Sequence, residues 1–224
     1  TTETATAALS KSGTGTASYS SVTINPTGTY TITGPSTNTD GVIRLSSAQN
    51  VTIDGRVNQA GTVNGLSITA AAAGPVIWMD SLAGSTGPKN ITVRNCNING
   101  FSSTTSTVFG IVTSSSSSKT TGLGGLVNIQ VLNNTFKKCY YGARFYGLST
   151  GRVYGLVVNG NTFGSDLTSD AVQYYVIYAY YATNPIISNN ILKNVSSTSG
   201  SYYGIYCYYG ESAVVTNNLV DNIN

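Results

Sequence analysis

The segment Val157-Val158-Asn159-Gly160-Asn161-Thr162-Phe163 decides the fold, because it recurs without gaps along the 224-residue chain. Its equivalents are Thr92 to Ile98, Gln130 to Phe136, Ile186 to Leu192 and Val214 to Val220. Aligned on Cys96, Asn134, Asn161, Asn190 and Asn218, the copies are 38, 27, 29 and 28 residues apart. Self-similarity at a period near 28, with one longer insertion, is the signature of a stacked repeat. A second element lies between these copies: Tyr140 to Gly147, Tyr174 to Tyr181 and Tyr202 to Tyr209. Each unit therefore reads as two short strands separated by turns rich in Asn, Gly and Ser, with no helical periodicity able to bury a face. Units this short close no core alone and must stack on their neighbours. In a parallel solenoid each strand bonds to its equivalent one coil later, about 4.8 Å along the axis.

The recurring Asn fits that geometry chemically. In a parallel stack an Asn amide donates to the next Asn and accepts from the previous one, so a column satisfies itself inside a turn. Asn134, Asn161, Asn190 and Asn218 form the expected ladder. The competing reading is that Asn merely suits tight turns.

Composition agrees. Only 8% of residues are charged, Ser, Thr, Asn and Gly make up 106 of 224, and apolar residues still reach 40%. That excludes a coiled coil and does not describe a disordered chain. The 11 Lys and Arg are scattered, with a net charge of +3, so nucleic acid is not an expected partner. No apolar run is long enough for a helical membrane span. Cys96, Cys139 and Cys207 are too far apart for a zinc site or disulfide framework and read as small buried filler.

Alternation along the Tyr-rich strand assigns its faces. Ala143, Ile177 and Ile205 point inward, as do Phe145, Ala179 and Cys207. Arg144, Tyr178 and Tyr206 form one outward column and Tyr146, Tyr180 and Tyr208 a second, with Tyr181 and Tyr209 at the strand end. Three readings compete for this face: a contact for another protein chain, a platform for sugar rings, or stacking that only stabilises the sheet beneath a loop such as residues 196 to 201.

Catalysis finds little support. With no His, Ser-His, Cys-His and His-metal chemistry within one chain are excluded. The eight acidic residues show no coil-equivalent pair facing one bond. A lyase-like site would need Asp166 and Asp170 with Arg144 or Arg152 as base, and two loop carboxylates four apart are more often solvated turn residues. No cofactor and no metal are expected. Ser114 to Ser118 reads as an exposed loop tip.

The ladder-bearing coils resemble the right-handed parallel β-helix of pectate lyases, tailspikes and many bacterial surface proteins. More narrowly, Gly41 to Leu45, Asn50 to Gly55, Gly61-Thr62 and Leu66 to Ile68 resemble the opening coils of very long surface proteins exported by gliding-type Bacteroidetes through the type IX pathway. The expected fold is thus all-β, a right-handed parallel β-helix solenoid of about six or seven coils with an Asn ladder. Residues 1–40 are expected to cover an edge or form an incomplete first coil, with weak strands at Ser21 to Ile24 and Thr29 to Thr33, and residues 41–224 to form the helix. The expected role is a non-catalytic structural or adhesive segment of a secreted, extracellular or cell-surface protein, alternatively a carbohydrate-binding module. Expected partners are copies of itself, further segments of one large chain, or glycans. The chain stops directly after a repeat block, which suggests either a fragment of a longer protein or an end that docks on another copy.

Overall fold

A computed structural model describes residues 2–37, 39–195 and 202–223. The loop at 196–201, considered above as a cover for the tyrosines, lies outside the described residues. Three parallel sheets wind around one core, each with a seven-strand path, so the chain makes about seven coils of a parallel β-helix. The first sheet runs Ala7–Ser10, Ile43–Ser46, Pro75–Asp80, Phe109–Thr113, Cys139–Tyr146, Val172–Tyr180 and Tyr203–Tyr208. The second runs Val22–Ile24, Gln49–Asp54, Lys89–Arg94, Val127–Leu132, Val157–Asn159, Ile186–Ser188 and Val214–Thr216. The third runs Tyr30–Thr33, Leu66–Thr69, Cys96–Asn99, Thr135–Lys137, Thr162–Phe163, Ile191–Val195 and Leu219–Ile223.

Each coil thus holds three strands where the sequence suggested two. The difference lies within the repeated segment itself. Asn95, Asn133, Gly160, Asn189 and Asn217 all take the left-handed conformation, with φ between 54° and 68°. One such residue breaks the extended chain into a strand of the second sheet, a sharp corner and a strand of the third. Asn and Gly tolerate this backbone with little steric cost.

The ladder stands at that corner. Asn161 Oδ1 accepts from the backbone N–H of Asn134 at 2.9 Å and from its Nδ2 at 3.1 Å. Asn190 Oδ1 receives the same pair from Asn161, and Asn218 Oδ1 the same pair from Asn190. Each Nδ2 also donates backward to a buried carbonyl: Val93, Val131, Val158 and Ile187. Cys96 begins the column with its backbone N–H donated to Asn134 Oδ1 at 2.9 Å. A second, exposed ladder at the corner between the first and second sheets was not anticipated: Asn128 donates to Asn90, and Asn90 to Asn50.

The core is one continuous apolar column from Val42 to Val195. Ala143, Ile177, Phe145 and Ala179 point into it, with Ile205 and Cys207 partly buried against it, and Cys96 and Cys139 fully buried. Phe136 and Phe163 stack at 4.5 Å across two coils. Gly110 and Gly142 make room for them, since a Cβ there would stand 2.7 Å from the Phe136 ring and 2.8 Å from the Phe163 ring respectively. At the two ends of the stack, core-type side chains meet solvent: Ala7, Leu9, Val22 and Ile24 line a cavity of about 380 Å³ at one, and Val215, Leu219 and Val220 are exposed at the other.

Candidate functional site

The outer face of the first sheet carries the tyrosines. Its register pairs Arg144 with Tyr178 and Tyr178 with Tyr206, and likewise Tyr146 with Tyr180 and Tyr180 with Tyr208. Both expected columns therefore exist. Because strands in register repeat each side chain at strand spacing, aromatic rings at equivalent positions must stack. Tyr178 lies on Tyr206 at 5.3 Å and 15°, and Tyr181 on Tyr209 at 4.8 Å and 8°. Tyr180 tilts against Tyr208 at 5.4 Å.

A third column went unread in the sequence. Phe109, Tyr141, Tyr175 and Tyr203 stack in succession, at 4.7, 5.8 and 4.7 Å, with planes within 12°. Tyr140 stacks on Tyr174 beside it, at 5.2 Å. The signal was present, as the doublets Tyr140-Tyr141, Tyr174-Tyr175 and Tyr202-Tyr203. Strict alternation hid it, since two consecutive residues, Val176 and Ile177, both turn into the core after Tyr175. Edge-on contacts tie neighbouring columns together, for example Tyr175 to Tyr178 at 4.9 Å and 83°. The result is a continuous aromatic sheet whose members are half-buried by one another, opening to 42% exposure at Tyr208.

This packing shifts the phenols. Burial, with the hydrogen bond that the neutral Tyr175 phenol donates to neighbouring Tyr174, pushes the Tyr175 pKa well above the usual phenol value. Burial also raises Tyr178, and the nearby Arg144 charge opposes it without prevailing.

Arg144 corrects the expectation of an exposed column. It points outward but is only 6% exposed. The segment 114–121 folds over it, and its guanidinium donates to the carbonyls of Lys119 at 2.6 Å and Thr120 at 3.2 Å. The same group lies over the Tyr146 and Tyr178 rings at 4.7 and 5.2 Å. The serine run is likewise not a free tip throughout: Ser114 is fully buried and accepts the indole N–H of Trp78 at 2.8 Å. Trp78 is contacted by two cations, Arg44 at 4.2 Å and Lys119 at 4.3 Å. Arg44 in turn pairs with buried Asp80 at 2.5 Å. The loop therefore caps the upper half of the outer face and leaves the Tyr-rich lower half open.

Asp166 and Asp170 are held elsewhere. Asp166 pairs with Lys193 at 2.7 Å, and Asp170 with Lys137 and Ser165 at 2.8 Å each. Burial acts to raise Asp170, and the Lys137 and Ser165 contacts outweigh it and lower its pKa. Arg152 pairs instead with Glu211 at 3.4 Å. Neither aspartate has an ion pair with Arg144 or Arg152 among the described residues. No group of three His, Cys, Asp or Glu that could hold a metal occurs among the described residues, and no helix there is long and apolar enough to cross a membrane. No protein-family model, no curated protein and no solved structure matches this chain.

Proposed function

We propose that this chain is a non-catalytic structural and adhesive segment of a secreted bacterial surface or fibre protein, docking another protein chain through its tyrosine face. The observation that carries the reading is the run of stacked rings from Tyr141 to Tyr209, a wide rigid aromatic surface left open beside the loop at 114–121. Tyrosine suits protein contacts because it combines large apolar area with a hydroxyl and loses little side-chain entropy. The low charge, the Ser, Thr and Asn content and the resemblance to long exported surface proteins support an extracellular setting. Exposed Val215, Leu219 and Val220 give the partner, a second copy or further coils of one large chain, an apolar stack end to continue.

A sugar-binding platform is the second reading, and stacking ranks it lower. Rings stacked along a column cover each other's faces and turn their edges outward, whereas a sugar needs a free ring face. Such faces remain at the end of the stack, on Tyr208 and Tyr209.

The test is assembly state across a concentration series, by sedimentation velocity and negative-stain electron microscopy. Replacing Tyr178, Tyr180, Tyr206 and Tyr208 by Ser is expected to weaken association while far-ultraviolet circular dichroism keeps its strand signal. Unchanged association would overturn the tyrosine contact. Quenching of tyrosine fluorescence by oligosaccharides on a persistent monomer would favour the sugar reading.

A further inference from the structure

A different corner of the solenoid carries a cleft that the tyrosine face does not explain. In the coils from Lys89 onward, two residues separate the end of a second-sheet strand from the next third-sheet strand, or one where Asn95 stands alone. In the second coil the chain leaves at Asp54 and returns only at Leu66. The excursion is pinched at its base, where the N–H groups of Gly65 and Leu66 both donate to the Gly55 carbonyl, at 2.7 and 3.0 Å. It arches beside the next coils and leaves a cleft of about 580 Å³, lined by Arg56, Thr62, Asn64, Arg94, Asn95 and Asn133. Insertions of this kind in repeat proteins commonly collect on a binding face.

Two of the chain's 11 cationic side chains meet there. Asp54, fully buried beneath them, holds both. It accepts Arg56 Nε at 3.0 Å and Nη2 at 2.7 Å, and Arg94 Nε at 2.9 Å. The Asn95 amide at 3.3 Å and the Arg56 backbone N–H at 3.1 Å complete its acceptor sites. Both Asp54 oxygens are thus occupied. Arg94 keeps both terminal nitrogens, and Arg56 keeps Nη1, without a hydrogen-bond partner among the described residues. One carboxylate against two guanidiniums leaves a net positive charge, fixed in orientation before any ligand arrives. A guanidinium plane matches a carboxylate or sulfate edge in paired N–H donors, and preorganisation removes much of the ordering cost of binding.

We infer that this cleft is an oxyanion-binding site, in which Arg94 and Arg56 take a carboxylate or sulfate group while Thr62, Asn64 and Asn133 contact the polar body that bears it. Asp54 is a positioning residue, acting through the two arginines. The site stands apart from the tyrosine sheet and does not depend on the reading of that face.

The probes are sodium sulfate and sodium acetate, each against sodium chloride at matched ionic strength, followed by nitrogen-15 NMR. Arginine Nε–H signals and the backbone amides of Arg56, Thr62, Asn64, Asn95 and Asn133 are expected to shift saturably with at least one oxyanion and not with chloride. Saturation by acetate alone would name carboxylates as the ligand class, and by sulfate alone, sulfated groups. Arg94→Gln, on a half-exposed outward side chain, is expected to weaken binding at least fivefold with strand content unchanged, and Arg94→Lys less. Arg152→Gln, at a remote ion pair, should titrate as the parent. Equal shifts with chloride, or an Arg94→Gln variant that binds like the parent, would overturn the inference.

Discussion

The side-chain oxygen of Asn161 receives two donors from Asn134 one coil earlier, the backbone N–H at 2.9 Å and the amide Nδ2 at 3.1 Å. A single side chain thereby replaces the strand-to-strand bond that the corner interrupts, and it does so in a site sealed from water.

Asn161→Ala leaves the Asn134 backbone N–H and one of its two amide hydrogens without an acceptor and takes the Asn161 donor from the Val131 carbonyl, all in a buried site. The expected loss is about 3 kcal/mol in urea unfolding, since each orphaned buried group costs about 1–3 kcal/mol and neighbours relax in part. Asn218→Ala, in the half-open last coil, is expected to cost about 1 kcal/mol. Equal losses at the two positions would contradict a sealed ladder.

Trp78 is the single tryptophan, 2% exposed, so its fluorescence reports on the loop above it. Lys119→Ala removes the cation over the indole and the 3.4 Å contact with Asp40. The expected result is a red-shifted emission and stronger acrylamide quenching, with a stability loss of about 1 kcal/mol. Emission and quenching identical to the parent would show that the loop closes without that contact.

Alkaline titration should split the tyrosines into two classes. Burial places the folded-state pKa of Tyr175 and Tyr178 above the usual value near 10. A raised pKa means that their contribution to stability is fully present below pH 10 and is lost as pH climbs beyond it. Absorbance at 295 nm is expected to rise in an early phase from open phenols and a later one that coincides with loss of the strand signal. A single phase complete before any unfolding would refute the buried stack.

Acid acts through Asp54. Burial would raise its pKa, but the hydrogen bonds from Arg56 and Asn95 and the charge of Arg94 outweigh that and hold it at about 2. A depressed pKa contributes stability above the ordinary value of 3.8, lost as pH falls through 2. Asp54→Asn is expected to cost about 1–2 kcal/mol at pH 7, after allowing for solvent screening. The gap between variant and parent should shrink toward pH 2, and a gap independent of pH would exclude the ion-pair cause.

Thiol reactivity should grade with depth. Burial pushes Cys139 up to about 12, and burial with the Asp54 charge does the same at Cys96. A disulfide reagent at pH 8 is expected to label Cys207 first and the other two only on unfolding. Fast native labelling of Cys139 would contradict its place in the core.

Much of the fold could be read from spacing alone. The steps between Cys96, Asn134, Asn161, Asn190 and Asn218 are those of the hydrogen-bonded column. The pairing of Arg144 with Tyr178 and Tyr206 also follows from the repeat, because a parallel stack forces equivalent residues into register. The third strand was hidden because its only mark is one left-handed residue within a run that looks continuously extended. Tyr141, Tyr175 and Tyr203 were hidden because consecutive residues after them, as Val176 and Ile177 show, both turn inward, which alternation cannot anticipate.

By itself, then, the sequence determined the repeat, the parallel stack, the ladder and which side chains share a column, since all of these depend on spacing along the chain. Tertiary structure alone decided what covers what. Arg144 is buried because residues distant in sequence, Lys119 and Thr120, bring their carbonyls to it. Arg94 meets Asp54 as its register partner one coil on, but the cleft beside them exists only because the insertion between Asp54 and Leu66 comes to rest beside the next coils. Loops obey no period, so where they come to rest depends on the contacts they find.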